Sequence, residues 1–250
     1  MINLVAVSKW MARVIILALL LSTVAGCAPS GDPLTEDFAE PLNGATAAKL
    51  DIDAGDGNLT VDTLTGGESL LAGGTLQYFE SQGLPARTLV AFNGEATLTL
   101  QGGKATQSGI RLPWAACNGA TEWQIHLNPT VPSYLAAHSN GGNIKLNLAG
   151  MTLTRLSTDT GGGNVEVVLP DSAADLSVTA KSGAGNVIVH VPSGVAAKIH
   201  ATTGAGKVIV GSPFSKIDDH TYQSPDYDSA AQKVEITLDS GAGNVQVITD

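Results

Sequence analysis

One recurring pattern restricts what this chain can fold into more than any other feature. It is anchored on Asn58, Asn143, Asn164, Asn186, Lys207 and Asn244, and the residue before each anchor is glycine: Gly57, Gly142, Gly163, Gly185, Gly206 and Gly243. Three positions before the anchor stands Gly55, Gly161, Gly183, Gly204 or Gly241, with Asn140 in the remaining unit. Four before is Ser139, Thr160, Ser182, Thr203 or Ser240. Aliphatic residues hold the position eight before (Leu50, Leu135, Leu156, Val178, Ile199, Ile236), one after (Leu59, Ile144, Val165, Val187, Val208, Val245) and three after (Val61, Leu146, Val167, Val189, Val210, Val247). Apolar residues two apart lie on one side of a strand, and the mixed residues between them, such as Lys145, Glu166 and Gln246, suit a solvent face. The Gly-x-Gly-Asn corner is expected to supply backbone freedom for a sharp turn, with Asn140 as the next residue most tolerant of positive φ. Pro170, Pro192 and Pro213 then end strands, because proline has no N–H to give a ladder.

The anchors at 143, 164, 186 and 207 are spaced by 21, 22 and 21 residues. Constant spacing with an unchanged inward face predicts coils stacked on one another, each burying its apolar side only with the help of its neighbours. The last interval is 37 residues, so about 16 are inserted within Ser212 to Ser229, where Tyr222, Pro225 and Tyr227 predict a loop capping one end. The 85 residues between the first two anchors lack the anchor motif but predict further strands at Thr75–Phe79, Thr88–Phe92, Thr97–Gln101 and Trp123–Leu127. The expected fold is all-β, a parallel β-solenoid or flattened β-roll with repeats of about 21 residues, with a two-sheet β-sandwich as the alternative pairing.

The first 26 residues read as targeting. Lys9 and Arg13 precede the apolar run Val14–Leu21, which is shorter than the roughly 20 residues a spanning helix needs. Val24-Ala25-Gly26-Cys27 follows, and small residues before a cysteine suit a lipobox whose thiol receives a diacylglycerol. The expectation is a lipoprotein signal over 1–26, a lipidated Cys27 with a flexible acidic tether over 27–44, and one Gly-rich β-repeat domain over 45–250. The tether carries Pro29, Pro33 and Pro41 among Asp32, Glu36, Asp37 and Glu40. The segment resembles bacterial lipoprotein signals, and that resemblance implies a membrane-anchored protein on the extracytoplasmic face. Ala28 is not the aspartate that would mark inner-membrane retention in a diderm. With Cys27 lipidated, Cys117 has no intramolecular partner and reads as a small buried hydrophobe.

The formal charge of −10, without a basic cluster, argues against nucleic acid as a partner. Asp51-Ile52-Asp53-Ala54-Gly55-Asp56-Gly57 has the look of a calcium loop, but the alternating apolar residues make it a strand with an acidic outer face, and the spacing misses the EF-hand ligands. His126, His138, His190, His200 and His220 show no metal-ligand spacing. No Gly-x-Ser-x-Gly elbow occurs, and the glycines before Lys104 and Lys207 lack P-loop spacing. No metal, cofactor or catalytic residue is therefore expected. Paired carboxylates for glycoside hydrolysis would converge only in the fold. Aromatic content of 4% leaves Trp114, Trp123, Tyr222 and Tyr227 as the few candidates for a recognition patch.

The segment from Leu50 to Phe79, with its Gly74-Thr75-Leu76-Gln77-Tyr78 element, resembles the opening of toast-rack domains. Trp123 to Leu135 with the Gly-Ala-Gly-Asn units is similar to the middle of that family, and His220 to Val247 to its end. The resemblance covers about 45–249. It implies a β-repeat domain of the kind found in accessory proteins of cell-wall-stress and antibiotic-response signalling, with related domains described as putative adhesins, and it brings no catalytic residues. A lipid anchor in place of membrane helices departs from the signalling members. The expected function is a non-enzymatic, lipid-anchored interaction domain meeting a protein partner at the cell envelope, regulatory or sensing in envelope stress. An adhesin-like scaffold is the alternative, and an envelope hydrolase a distant third.

Overall fold

A computed structural model describes residues 32–66, 69–103, 121–173 and 175–250. Cys27, Lys104, Trp114 and Cys117 lie outside them. Among the described residues the chain runs through nineteen strands. The first seven are β1 (Leu34–Pro41), β2 (Ala47–Asp53), β3 (Asn58–Thr63), β4 (Leu70–Tyr78), β5 (Ala86–Phe92), β6 (Glu95–Gln101) and β7 (Glu122–Leu127). There follow β8 (Ser133–Ser139), β9 (Ile144–Asn147), β10 (Leu153–Thr160), β11 (Val165–Val168), β12 (Leu176–Ser182) and β13 (Val187–Val191). The last six are β14 (Ala196–Thr203), β15 (Val208–Val210), β16 (Ser215–Lys216), β17 (Thr221–Gln223), β18 (Lys233–Ser240) and β19 (Val245–Thr249). A 3₁₀ turn, Glu80–Gln82, follows β4.

Each repeat unit is one coil: a long strand, the glycine corner, a short strand. The strands before the corners lie in one sheet, of order β16-β17-β14-β18-β12-β10-β8-β2-β6-β5, and the strands after them in a second, of order β1-β4-β7-β3-β9-β11-β13-β19-β15. Equivalent strands pair in parallel and in register, as the repeat requires: Leu50 with Leu135, Leu135 with Leu156, Leu156 with Val178 and Val178 with Ile236 on one sheet. Leu59, Ile144, Val165, Val187 and Val245 line up likewise on the other. The inward residues of both sheets meet in one continuous core, and most of these aliphatics are 0–2% exposed. The molecule is a flattened β-roll whose two walls are the two sheets. Full burial of each such side chain contributes about 1.5–3 kcal/mol, which no single coil could collect alone.

Sequence order and stacking order differ at both ends. The last coil, β18 and β19, does not sit at the end of the stack. It lies between the coil of β12 and β13 and the coil of β14 and β15. The insertion expected within Ser212–Ser229 is the excursion that makes this possible. Its strand β17 runs antiparallel against β14 and β16 antiparallel against β17, which caps that sheet, and Tyr227 of the same excursion is buried. At the other end β6 and β7 form a coil without the anchor motif, stacked on β2 and β3.

One expectation is corrected here. Residues 34–41, expected within a flexible tether, form edge strand β1, antiparallel to β4, with Phe38 buried. Three carboxylates and a proline disguise the strand, but an edge strand tolerates both. Its acidic face is used: Arg87 of β5 reaches Glu40 at 2.7 Å and Glu36 at 3.2 Å and lies over the Phe38 ring. This clasp ties the edge of one sheet to the edge of the other. Strand β5 itself is the outer half of a hairpin whose turn, Asn93-Gly94, has φ of 51° and 80°, matching the right-handed twist of its strands.

Candidate functional site

The repeat-corner residues come together as two ladders. Asn58 accepts from the Asn143 backbone N–H at 2.9 Å through its side-chain oxygen, and the same bond recurs from Asn164 to Asn143 and from Asn186 to Asn164. Next in the stack comes Asn244, whose N–H donates to Asn186 at 2.8 Å, and last Lys207, whose N–H donates to Asn244 at 3.0 Å. Lys207 thus ends the ladder. It needs only a backbone donor, because no further coil calls on its side chain. Inside the corner, Ser139, Thr160, Ser182, Ser240 and Thr203 each donate to a glycine carbonyl of the neighbouring coil at 2.7–2.8 Å. Four of these hydroxyls also accept the N–H three residues ahead, which leaves them satisfied although buried.

The corner glycines serve close approach rather than turn freedom, which corrects the expectation. A Cβ on Gly142, Gly163, Gly185, Gly243 or Gly206 would lie closer than 3.0 Å to backbone of the adjacent coil. Within the corners only Gly55 has a left-handed backbone, at φ 60°. Asn140 sits next to it in the stack, is not itself left-handed, and donates its N–H to the Gly55 carbonyl.

The outer faces carry the titratable groups. His126 pairs with Asp62, His138 with Asp159 at 2.7 Å, and His190 with Asp250 at 3.1 Å. Burial acts to lower the pKa of His138, but the charge and hydrogen bond of Asp159, the hydrogen bond to Asn140 and the charge of Asp53 outweigh it, and the net shift is upward. Tyr227 is pushed up to about 12 by desolvation and by Glu235, to which its hydroxyl donates at 3.2 Å. Asp51 and Asp53 lie on the outer side of β2 while Leu50 and Ile52 are buried, as the alternation implies. Among the described residues no three His, Cys, Asp or Glu are placed to hold a metal ion.

Among the described residues the candidate aromatics do not form a patch. Trp123 is 1% exposed and donates its indole N–H to the Gln77 carbonyl at 3.0 Å. Tyr222 and Tyr227 belong to the cap at the opposite end of the stack. Beside Trp123, however, a cleft of about 350 Å³ opens between the Gly55 corner, the end of β6 and the segment after β4. Asp53, Gln77, Tyr78, Gln82, Gln101 and Asn140 line it. Its two carboxylates, Asp53 and Asp56, come from the same corner rather than from opposite walls. Glycoside hydrolysis needs the two to flank the scissile bond. Sequence reasoning passed over these amides and Tyr78, since glutamine carries no motif and the elements that supply them are far apart in the chain.

A family profile described as the N-terminal domain of toast_rack, DUF2154, matches residues 30–190. The chain belongs to the toast-rack family. No curated protein matches it. A crystal structure of a putative cell adhesion protein from Clostridium sporogenes superposes with a TM-score of 0.78 at 22% identity, covering 88% of this chain and 100% of that one. A putative adhesin from Bacteroides fragilis aligns over 89% of this chain and 100% of its own, with 14% identity and a TM-score of 0.34. The Clostridium protein shares the toast-rack roll. Among the described residues no helix is long and apolar enough to cross a membrane.

Proposed function

We propose that this toast-rack chain is a non-enzymatic interaction domain, carried on a lipid at Cys27 at the extracytoplasmic face of the cell envelope, where it serves as a stiff adhesive scaffold. The observation that carries this reading is the commitment of the corner chemistry. The serine, threonine and asparagine side chains that a catalytic site would draw on are spent on coil-to-coil bonds. What such a stack offers a partner is a rigid surface. The fold shared with a structure described as a putative cell adhesion protein supports the adhesive form of the reading. Sensing of envelope stress, which the family resemblance implies, is the rival.

One set of strains separates them: wild type, a deletion, and Cys27→Ser. Each is scored for surface attachment, for sensitivity to cell-wall antibiotics and for incorporation of an alkyne palmitate. Loss of attachment with unchanged antibiotic sensitivity is expected. Changed sensitivity with intact attachment refutes adhesion in favour of sensing. Palmitate label that persists in Cys27→Ser refutes the anchor.

A further inference from the structure

The cleft beside Trp123 presents an unusual balance of hydrogen-bonding groups. Asp53 gives one carboxylate oxygen to the Gly55 N–H at 2.9 Å, which leaves the other as an acceptor. Gln82 accepts the Phe79 N–H at 3.0 Å through its carbonyl oxygen, which leaves its NH₂ as a donor. The Asn140 oxygen faces His138 Nε2 at 3.3 Å, which likewise leaves an NH₂. The side-chain amides of Gln77 and Gln101 and the hydroxyl of Tyr78 hydrogen-bond to nothing among the described residues, and each can both donate and accept. Among the described residues that line it there is no Lys, Arg or His.

This inventory discriminates between ligand classes. An anion asks for donors and positive charge, and the cleft carries carboxylates. A hard cation asks for several anionic or carbonyl oxygens on one centre, and most of the groups here are amides with an N–H to place. A sugar hydroxyl donates and accepts at once, so a row of vicinal hydroxyls suits mixed amides, one carboxylate and a phenol. Tyr78 adds an aromatic body with a polar tip, the form that packs against an apolar face while bonding at its edge. The volume lies within the range of small-molecule sites, at roughly 300–1,000 Å³.

We propose that this cleft binds a neutral saccharide through Gln77, Tyr78, Gln82, Gln101, Asp53 and Asn140. The proposal deepens the interaction-domain reading and rests on it, by naming the class of ligand that the scaffold would grip.

The test is isothermal titration of the full-length protein in detergent micelles with three tetrasaccharides: chitotetraose, cellotetraose and maltotetraose. Calcium chloride is titrated separately. At least one tetrasaccharide is expected to bind. The Gln77→Ala/Gln101→Ala double variant is expected to weaken that binding about tenfold or more, with an unchanged unfolding midpoint. Tyr78→Phe keeps the ring and removes only the hydroxyl, so it reports on the site even where the double variant folds poorly. Binding confined to chitotetraose marks an acetamido sugar as the source, and binding of the other two marks a plain hexose. Absence of binding by all three up to about 10 mM overturns the proposal, since weaker affinity is no recognition. Binding unaltered in both variants overturns it too, as does a response to calcium chloride alone that disappears in Asp53→Asn. Strains carrying the double variant keep the two readings apart. Lost sugar binding with normal attachment upholds the cleft and refutes an adhesive role for it.

Discussion

Gly162 and Gly163 are adjacent in one corner, yet the stack predicts opposite fates for them. A Cβ on Gly163 would lie closer than 3.0 Å to three backbone atoms, the Gly142 carbonyl carbon and oxygen and the Asn143 nitrogen, none of which can rotate away. The coil must rise off its neighbour to make room. Among the bonds that cross that gap are Thr160 Oγ1 to the Gly142 carbonyl at 2.8 Å and the Asn164 N–H to Asn143 at 2.9 Å. Overpacking costs about 1–3 kcal/mol, and two stretched hydrogen bonds add about 1 kcal/mol each. Gly163→Ala should therefore lose about 3–5 kcal/mol, or roughly 6–20 °C in Tm for a chain of this size. A Cβ on Gly162 would find its nearest neighbour at 3.8 Å, an ordinary contact, on a backbone that is not left-handed. Gly162→Ala should be neutral or gain about 0.4–1 kcal/mol by restricting the unfolded chain. Urea unfolding of both variants, followed by circular dichroism, is the assay. Equal losses in the two would refute the close-approach argument and restore the simpler view that these corners need flexible backbone.

Three further outcomes are expected. Thr158 is fully buried within a column of apolar residues that includes Ala137, Ala180 and Leu238, and its hydroxyl has no partner among the described residues, so Thr158→Val should raise stability by about 1–3 kcal/mol in the same denaturation experiment. Along the asparagine ladder, Asn244→Ala should cost about 1 kcal/mol by removing the acceptor of the Lys207 N–H, while Lys207→Asn, at the ladder's end, should shift stability by no more than about 0.5 kcal/mol. His138 should titrate above its ordinary value of 6.5 by NMR, and Asp159→Asn should bring it down. Because the folded pKa is raised, the pair's contribution is complete below pH 6.5 and fades as pH climbs through the folded value, so the variant should show a flatter stability profile above pH 6.5.

The repeat was legible because its two demands are local and periodic. Leu156, Val165 and Val167 repeat at the spacing of a coil, and the structure uses them as that spacing implies. Strand positions between the first two anchors were legible from alternation as well, so that β5, β6 and β7 fall on the stretches expected. Stacking order was hidden. The anchors of β14–β15 and β18–β19 differ only by Lys207, and the meaning of that lysine emerges once its coil is seen at the end of the ladder. Strand β1 was hidden by its charges, which serve Arg87, a residue some fifty positions away. The cleft could not be read at all. Its groups come from β2, β4, β6 and the Asn140 corner, and only the stacking of the β6 coil on the β2 coil brings them together.

The placement of β18 and β19 inside the stack has a consequence for how the protein is made and inspected. Synthesis delivers the chain amino terminus first, so the segment 196–210 emerges before the layer it must lean against exists. It can close onto the body only when residues 233–249 arrive and slip between. A chain cut short before residue 233 would lose not a dispensable layer but a keystone. The facing edges of β12 and β14, and of β13 and β15, would stand open as sticky strand edges. Completion of this fold therefore waits on residues 233–249, and copies that lack them offer open strand edges to proteases.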